Sequence, residues 1–146
     1  MKTLMCKEQM KLLKSFTVNA AGAKETLKAY MEEHFLCGEA EVELVKSLRS
    51  GIDGSRELLE LYLKKYVLSD HAGVELVKSL RDGVDGAKEL FEAYIEWFAL
   101  GDAAEVELVR NLEKGIDGSR ELLEVYRSKY YLCDDAQFYF ECLHNW

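Results

Sequence analysis

The chain has 146 residues, 49% of them hydrophobic, with no proline, four cysteines and a formal net charge of −8. That length suits one domain, with a core that removes roughly 68–70% of the unfolded surface from water without metals or disulfides. Apolar residues are too many for a disordered chain, and charges, at 32%, are too many for a fibrous or membrane-spanning one.

The opening stretch, MKTLMCKEQMKLLK, carries a charge every few residues and has no apolar h-region, so it reads as neither a signal peptide nor a lipoprotein anchor. A cytoplasmic location is expected. The same stretch predicts a helix over 3–16, whose outer face of Lys2, Lys7, Glu8, Gln9, Lys11 and Lys14 is polar, as a terminal cap requires.

From Met10 onward the chain repeats itself. VELVKSLRSGIDGSRELLELY begins at Val42, VELVKSLRDGVDGAKELFEAY at Val74 and VELVRNLEKGIDGSRELLEVY at Val106, a period of 32. An eroded copy, MKLLKSFTVNAAGAKETLKAY, precedes them, and a partial one starts at Phe138. The unit at Val42 matches the unit at Val106 better than its own neighbour, so the order is ABAB.

Helical spacing of Leu58, Leu59, Leu61, Tyr62 and Tyr66, and of Val42, Leu44, Val45 and Leu48, makes each unit a pair of helices. The predicted elements, in order, are 3–16, 22–36, 39–50, 54–67, 71–82, 86–99, 103–114, 118–131 and 135–144, and the odd-numbered helix of each pair reads as the shorter. The fold expected is all-α: a right-handed α-solenoid of about four helix-turn-helix repeats, with a closed helical bundle as the alternative. It is one domain over 1–146, divided into a cap helix at 1–17, repeats at 18–41, 42–73, 74–105 and 106–137, and a C-terminal cap at 138–146.

The joints carry their own signals. Gly51, Gly83 and Gly115 fit the left-handed residue past a helix end, with Ile52, Val84 and Ile116 as its apolar contact. Asp53, Asp85 and Asp117 are placed to cap the next helix. At the other joints, Asp102 with Glu105 and Asp134 with Gln137 have capping-box spacing, Gly38 with Glu41 is a weaker version, and Gly73 breaks the pattern after Asp70.

ELVKSLRSGID and ELVRNLEKGID resemble the second helix and exit turn of ankyrin repeats. The resemblance covers about a third of each unit and implies protein binding without catalysis. The sequence has no TPLH-type motif, and GSRELLELY, which stands where an ankyrin β-hairpin would lie, is helical in pattern.

No catalytic constellation stands out, so no enzyme, catalytic residue or cofactor is expected. GIDGS and GVDGA recur at every joint and read as turns rather than phosphate loops. His34, His71 and His144 form no metal array, no CxxC exists, and no metal ligand is assigned. Cys37 and Cys133 lie three units apart, too far to pair. Only Cys6 and Cys37 lie at adjoining helix ends, and reduced thiols are the expected state. The tyrosines at 30, 62, 94 and 126 share a helical phase with the core, so they are expected to pack between units with their hydroxyls at a polar edge.

Acidity argues against nucleic acid and anionic membranes as partners and leaves another protein, a basic one, as the expectation. Two places break the repeat. Trp97 stands where the other units have Glu33, Lys65 and Lys129, which makes it the candidate partner-binding residue. Aromatics crowd the C-terminus, so Tyr131, Phe138, Tyr139, Phe140 and Trp146 are the candidates for self-association, as a homodimer through that end. The expected function is a non-enzymatic protein-binding helical-repeat module, in one form an acidic inhibitor of the immunity, antitoxin or anti-defence type. The alternative is a structural or assembly module that self-associates through the C-terminal end.

Overall fold

The computed structural model describes residues 2–144. Trp146, one of the candidate self-association residues, lies outside them. All the regular structure among the described residues is helical: α1 (Cys6–Thr17), α2 (Ala23–Glu33), α3 (Gly38–Arg49), α4 (Ser55–Leu63), α5 (Asp70–Arg81), α6 (Ala87–Trp97), α7 (Asp102–Glu113), α8 (Ser119–Lys129) and α9 (Asp134–His144). Helices that pack extensively are neighbours or next-but-one in the chain. α1, α3, α5, α7 and α9 stack side by side in one layer, and each even helix folds back on the odd helix before it. The array is therefore open, a helical-repeat arrangement of hairpins rather than a closed bundle.

Small side chains bring the odd helices close. Ala40, Ala72, Ala104 and Ala136 are fully buried at one-unit intervals. A Cβ placed on Gly73 would lie only 3.2 Å from the Cβ of Ala104. Around this seam run Leu44, Leu76 and Leu108 from the odd helices and Leu27, Leu59, Phe91 and Leu123 from the even ones, all in one continuous core.

The exit turns of the odd helices follow the sequence reading. Gly51, Gly83 and Gly115 have φ of 69°, 67° and 69°. In each turn the glycine amide donates two residues inside the helix end, as from Gly51 to the Leu48 carbonyl at 3.1 Å. The next amide donates further back, as from Ile52 to Ser47 at 3.1 Å. This pair of bonds satisfies the last carbonyls of the helix. The eroded first copy keeps the turn with Asn19 (φ 59°), the residue that tolerates this conformation best after glycine.

Two expectations are corrected. Asp53, Asp85 and Asp117 cap nothing: the N-cap residues are Gly54, Gly86 and Gly118, left-handed and without a side-chain cap bond. The even helices are also shorter than predicted, ending at Glu33, Leu63, Trp97 and Lys129, and the odd helices are not the shorter set. The apolar pattern runs past the helix ends because Leu36, Leu68 and Leu100 enter the core from extended backbone rather than from a further helical turn.

Candidate functional site

The seams between units hold most of the buried polar chemistry. Tyr30, Tyr62, Tyr94 and Tyr126 are at most 1% exposed, as the ladder predicted. Each phenol oxygen accepts from the backbone amide of the leucine that crosses the preceding joint: Leu4 (3.1 Å), Leu36 (2.8 Å), Leu68 (2.8 Å) and Leu100 (2.9 Å). Those amides lie beyond a helix end and have no ladder partner, so the tyrosine hydroxyl does the work of a cap.

A second residue completes three of the four seams. In the first, Gln9 donates to Tyr30 Oη at 3.1 Å and accepts from the Cys37 amide at 2.6 Å. In the second, Glu41 accepts from Tyr62 Oη at 2.5 Å and from the Ser69 amide at 2.7 Å. In the fourth, Glu105 accepts from Tyr126 Oη and, at 2.7 Å, from the Cys133 amide. Glu41 and Glu105 are thus not the capping-box partners that their spacing suggested. They reach forward to the next unit and are 3% and 4% exposed.

Burial pushes the Glu41 carboxyl above its ordinary value of 4.5, although the bonds from Tyr62 and Ser69 oppose the shift. Burial first, and then the neighbouring carboxylate, raises the Tyr62 and Tyr126 phenols. Burial lifts Tyr94 to about 12.

Gly73 can accept nothing at the third seam, and the closure there differs. Asp70 accepts from the amides of Ala103 (3.2 Å) and Ala104 (3.1 Å), so the carboxylate of one unit caps the first turn of the next. Salt bridges cross the seams at the surface: Lys24 to Glu57 at 2.8 Å, Arg49 to Glu75 at 3.5 Å, Arg81 to Glu107 at 3.9 Å and Lys129 to Glu96 at 3.1 Å.

The cysteines require a correction. Cys6 and Cys37, expected as reduced thiols, form a disulfide across the first seam, with Cα atoms 5.7 Å apart. The first residue of one odd helix and the residue preceding the next one face each other at every seam, and at the first both are cysteine. Cys133 and Cys142 are free thiols. At the fourth seam Asp102, Glu105 and Cys133 each bring one potential metal-ligand atom within 4.8 Å of the others. Both Glu105 oxygens are already accepting hydrogen bonds and burial pushes the Cys133 thiol up, so the trio is accounted for as a seam.

The exposed candidates divide sharply. Trp97, the last residue of α6, is 73% exposed. Tyr131 is fully exposed and Phe138 is 70% exposed. Phe140, by contrast, is buried, with the Arg127 guanidinium 4.2 Å from its ring centre, and Tyr139 is half-buried against the core. These two rings are engaged inside the chain rather than offered to a partner. On the outer side of α9 exposed Glu141 occupies the place of buried Val45, Val77 and Val109 and accepts from Gln137 at 3.0 Å, while Phe138, in the place of the partly buried Val42, Val74 and Val106, stays exposed.

Among the exposed apolar residues that the sequence reading does not flag are Phe35 (69%) and Val67 (57%), each in a loop over which the helical pattern extends. The signal was present in the repeat, since positions 35, 67 and 131 are equivalent and all are apolar. A groove of about 590 Å³ lies between Phe35 and Val67, lined also by Tyr66, Leu68 and Phe98 among others, and does not extend to Tyr131. No described helix is long and apolar enough to cross a membrane. Compared with family models, with curated proteins and with solved structures, the chain matches none.

Proposed function

We propose that this chain is a non-enzymatic protein-binding module that holds another protein through Trp97 and the surface around it. The observation that supports the reading most is the exposure of the Trp97 ring, 73%, at a position where the other units place Glu33, Lys65 and Lys129. An indole left mostly in water costs solubility, while tryptophan is among the residues most enriched in binding hot spots. The net charge of −8 favours a basic partner, and an inhibitor of the immunity, antitoxin or anti-defence type that covers a basic active site fits both features.

The test compares the chain with Trp97→Lys in capture from the native host. The variant should melt within about 0.5 kcal/mol of the parent, as surface substitutions do, yet lose the partner. Added salt should weaken the parent complex. A variant that captures the same protein equally well, or that loses several kcal/mol of stability, refutes the reading. Disulfides persist in oxidising compartments and are rare in a reducing cytoplasm, so we further propose that the chain works oxidised, against the cytoplasmic placement expected from its sequence. Thiol blocking followed by mass spectrometry of the native protein reads this directly.

A further inference from the structure

The four loops that lead from an even helix to the next odd helix, residues 34–37, 64–69, 98–101 and 130–133, all lie along one edge of the stack. This edge carries an exposed apolar side chain in each unit: Phe35 (69%), Val67 (57%), Trp97 (73%) and Tyr131 (100%). In the third unit the position equivalent to the other three holds the small Ala99, and Trp97, two residues earlier, supplies the bulk instead. With helices ~9 Å apart, and odd helices marking the units, the row extends on the order of 30 Å. Trp97 is therefore one member of a row, not an isolated irregularity.

A second row runs beside it. The first turns of the odd helices that follow these loops place Glu39, Asp70, Asp102, and Asp134 with Asp135, on the same edge. Asp70 is occupied by the amides of α7, but among the described residues Glu39, Asp102, Asp134 and Asp135 meet no basic side chain. Lys7, in the first turn of α1, stands at the place equivalent to Glu39 and leaves one cation at the first unit, whereas the lysines at the loops are already engaged. Lys64 pairs with Glu60 at 3.5 Å and Lys129 with Glu96 at 3.1 Å, while Lys65 donates to the Glu32 carbonyl and lies 5.6 Å from the Tyr66 ring centre. At Phe35, Trp97 and Tyr131 the edge thus offers an aromatic face with an acid that meets no basic side chain on the same edge, while at Val67 the acid, Asp70, is already taken.

An aromatic face beside a carboxylate is the surface that suits a guanidinium, which stacks on the ring while its N–H groups bond the acid. We infer that this loop edge is the docking surface of the protein, and that its occupant is a protein segment alternating arginine with apolar residues. The proposal rests on the protein-binding function above and adds the chemistry of the partner. The opposite edge, with exposed Asp53, Asp85 and Asp117, has the partly buried Ile52, Val84 and Ile116 beside those acids and the exposed aliphatic Val18 (76%) at its first turn, none of them an aromatic face for stacking.

The probe is a synthetic peptide alternating arginine and leucine, titrated against a Trp146→Phe chain in which Trp97 is the sole fluorophore of its kind. Binding should shift Trp97 emission and weaken with salt. A lysine–leucine peptide should bind at least about fivefold more weakly, since the ammonium cannot stack or bond in a fork. Combining Phe35→Ala, Val67→Ala and Tyr131→Ala, or Glu39→Gln, Asp102→Asn and Asp134→Asn, should weaken binding about tenfold or more. Asp53→Asn, Asp85→Asn and Asp117→Asn together remove the same charge from the other edge and should change it less than about twofold.

Equal losses in the two acid-to-amide sets, equal binding of the two peptides, or no binding at all overturns the proposal. If the arginine peptide fails while Trp97→Lys still loses the native partner, the recognition chemistry is refuted and the binding function stands. If the peptide binds as described while Trp97→Lys keeps its native partner, the binding function assigned through Trp97 is the part that falls.

Discussion

Every seam sets the first residue of one odd helix against the residue that precedes the next, and only the first seam is bridged. The second should accept a bridge as well. A Cβ placed on Gly38 falls 3.6 Å from the Cβ of Ser69, inside the roughly 3.5–4.5 Å that disulfides adopt. Gly38→Cys with Ser69→Cys, made together in a Cys133→Ser, Cys142→Ser background, should oxidise without displacing backbone. The new loop spans 31 residues, the separation of the native pair. Cross-linking a loop of that length removes about 3.5–4 kcal/mol of unfolded-state entropy at 25 °C. For a chain of this size that raises the melting temperature on the order of 10 °C. Mass spectrometry should show four hydrogens lost in total, and calorimetry with and without reductant should show the gain disappear on reduction. Two additional titratable thiols after air oxidation, or an oxidised variant that melts no higher than its single-cysteine controls, would show that the seams are not geometric copies of one another.

Other expectations concern the buried seam groups and the C-terminal rings. Glu41 is protonated more readily folded than unfolded, so stability should fall as pH rises from about 4.5 toward its raised folded value. Glu41→Gln should flatten that slope in urea denaturation, and Gln9 shows that an amide can serve the site. Glu105→Ala strands the Tyr126 hydroxyl and the Cys133 amide in the core and should cost about 2–4 kcal/mol, whereas a loss below about 1 kcal/mol would mean that water replaces the carboxylate. Phe140→Ala should cost about 3 kcal/mol and Phe138→Ala less than about 0.5, since only the first ring is buried. Light scattering across a concentration series reads self-association directly, and loss of any oligomer in Tyr131→Ala with Phe138→Ala would assign it to those two exposed rings.

What was legible in the sequence was whatever the repeat records. A side chain recurring every 32 residues at a helical phase has to face the same neighbours in each unit, so the Tyr30 ladder, the Gly51-type turns and the nine helices of the described residues are legible in one line of text. Contacts that cross from one unit to the next were misread, because spacing along the chain says nothing about which unit a side chain reaches. Glu105 lies three residues after Asp102 and resembles a local capping partner, yet its oxygens are taken by Tyr126 and Cys133. Leu36 continues a helical pattern, yet packs from extended backbone because Tyr62 accepts its amide. The Cys6–Cys37 bridge was the geometrically allowed pair, and the compartment argument, not the geometry, led away from it. At the candidate site, Trp97 was visible as an exception, whereas Phe35 and Val67 were hidden inside segments counted as helix.

The four seams are built to one plan but closed by four chemistries, and this gives the stack a separate handle at each joint. The first is closed by a disulfide and an amide that does not titrate, so it answers to reductant and not to pH. The second depends on a buried carboxyl whose ionisation opposes folding, so alkalinity loosens it. The third relies on Asp70, an exposed carboxylate on helix amides, so added salt reaches it first. The fourth keeps a buried carboxylate beside a free thiol, Cys133, and is a joint that alkylation reaches only slowly, since burial pushes that thiol up. A protein that looks uniform along its length can therefore be weakened at a chosen joint by choosing the solvent, while the continuous apolar core still holds the units together.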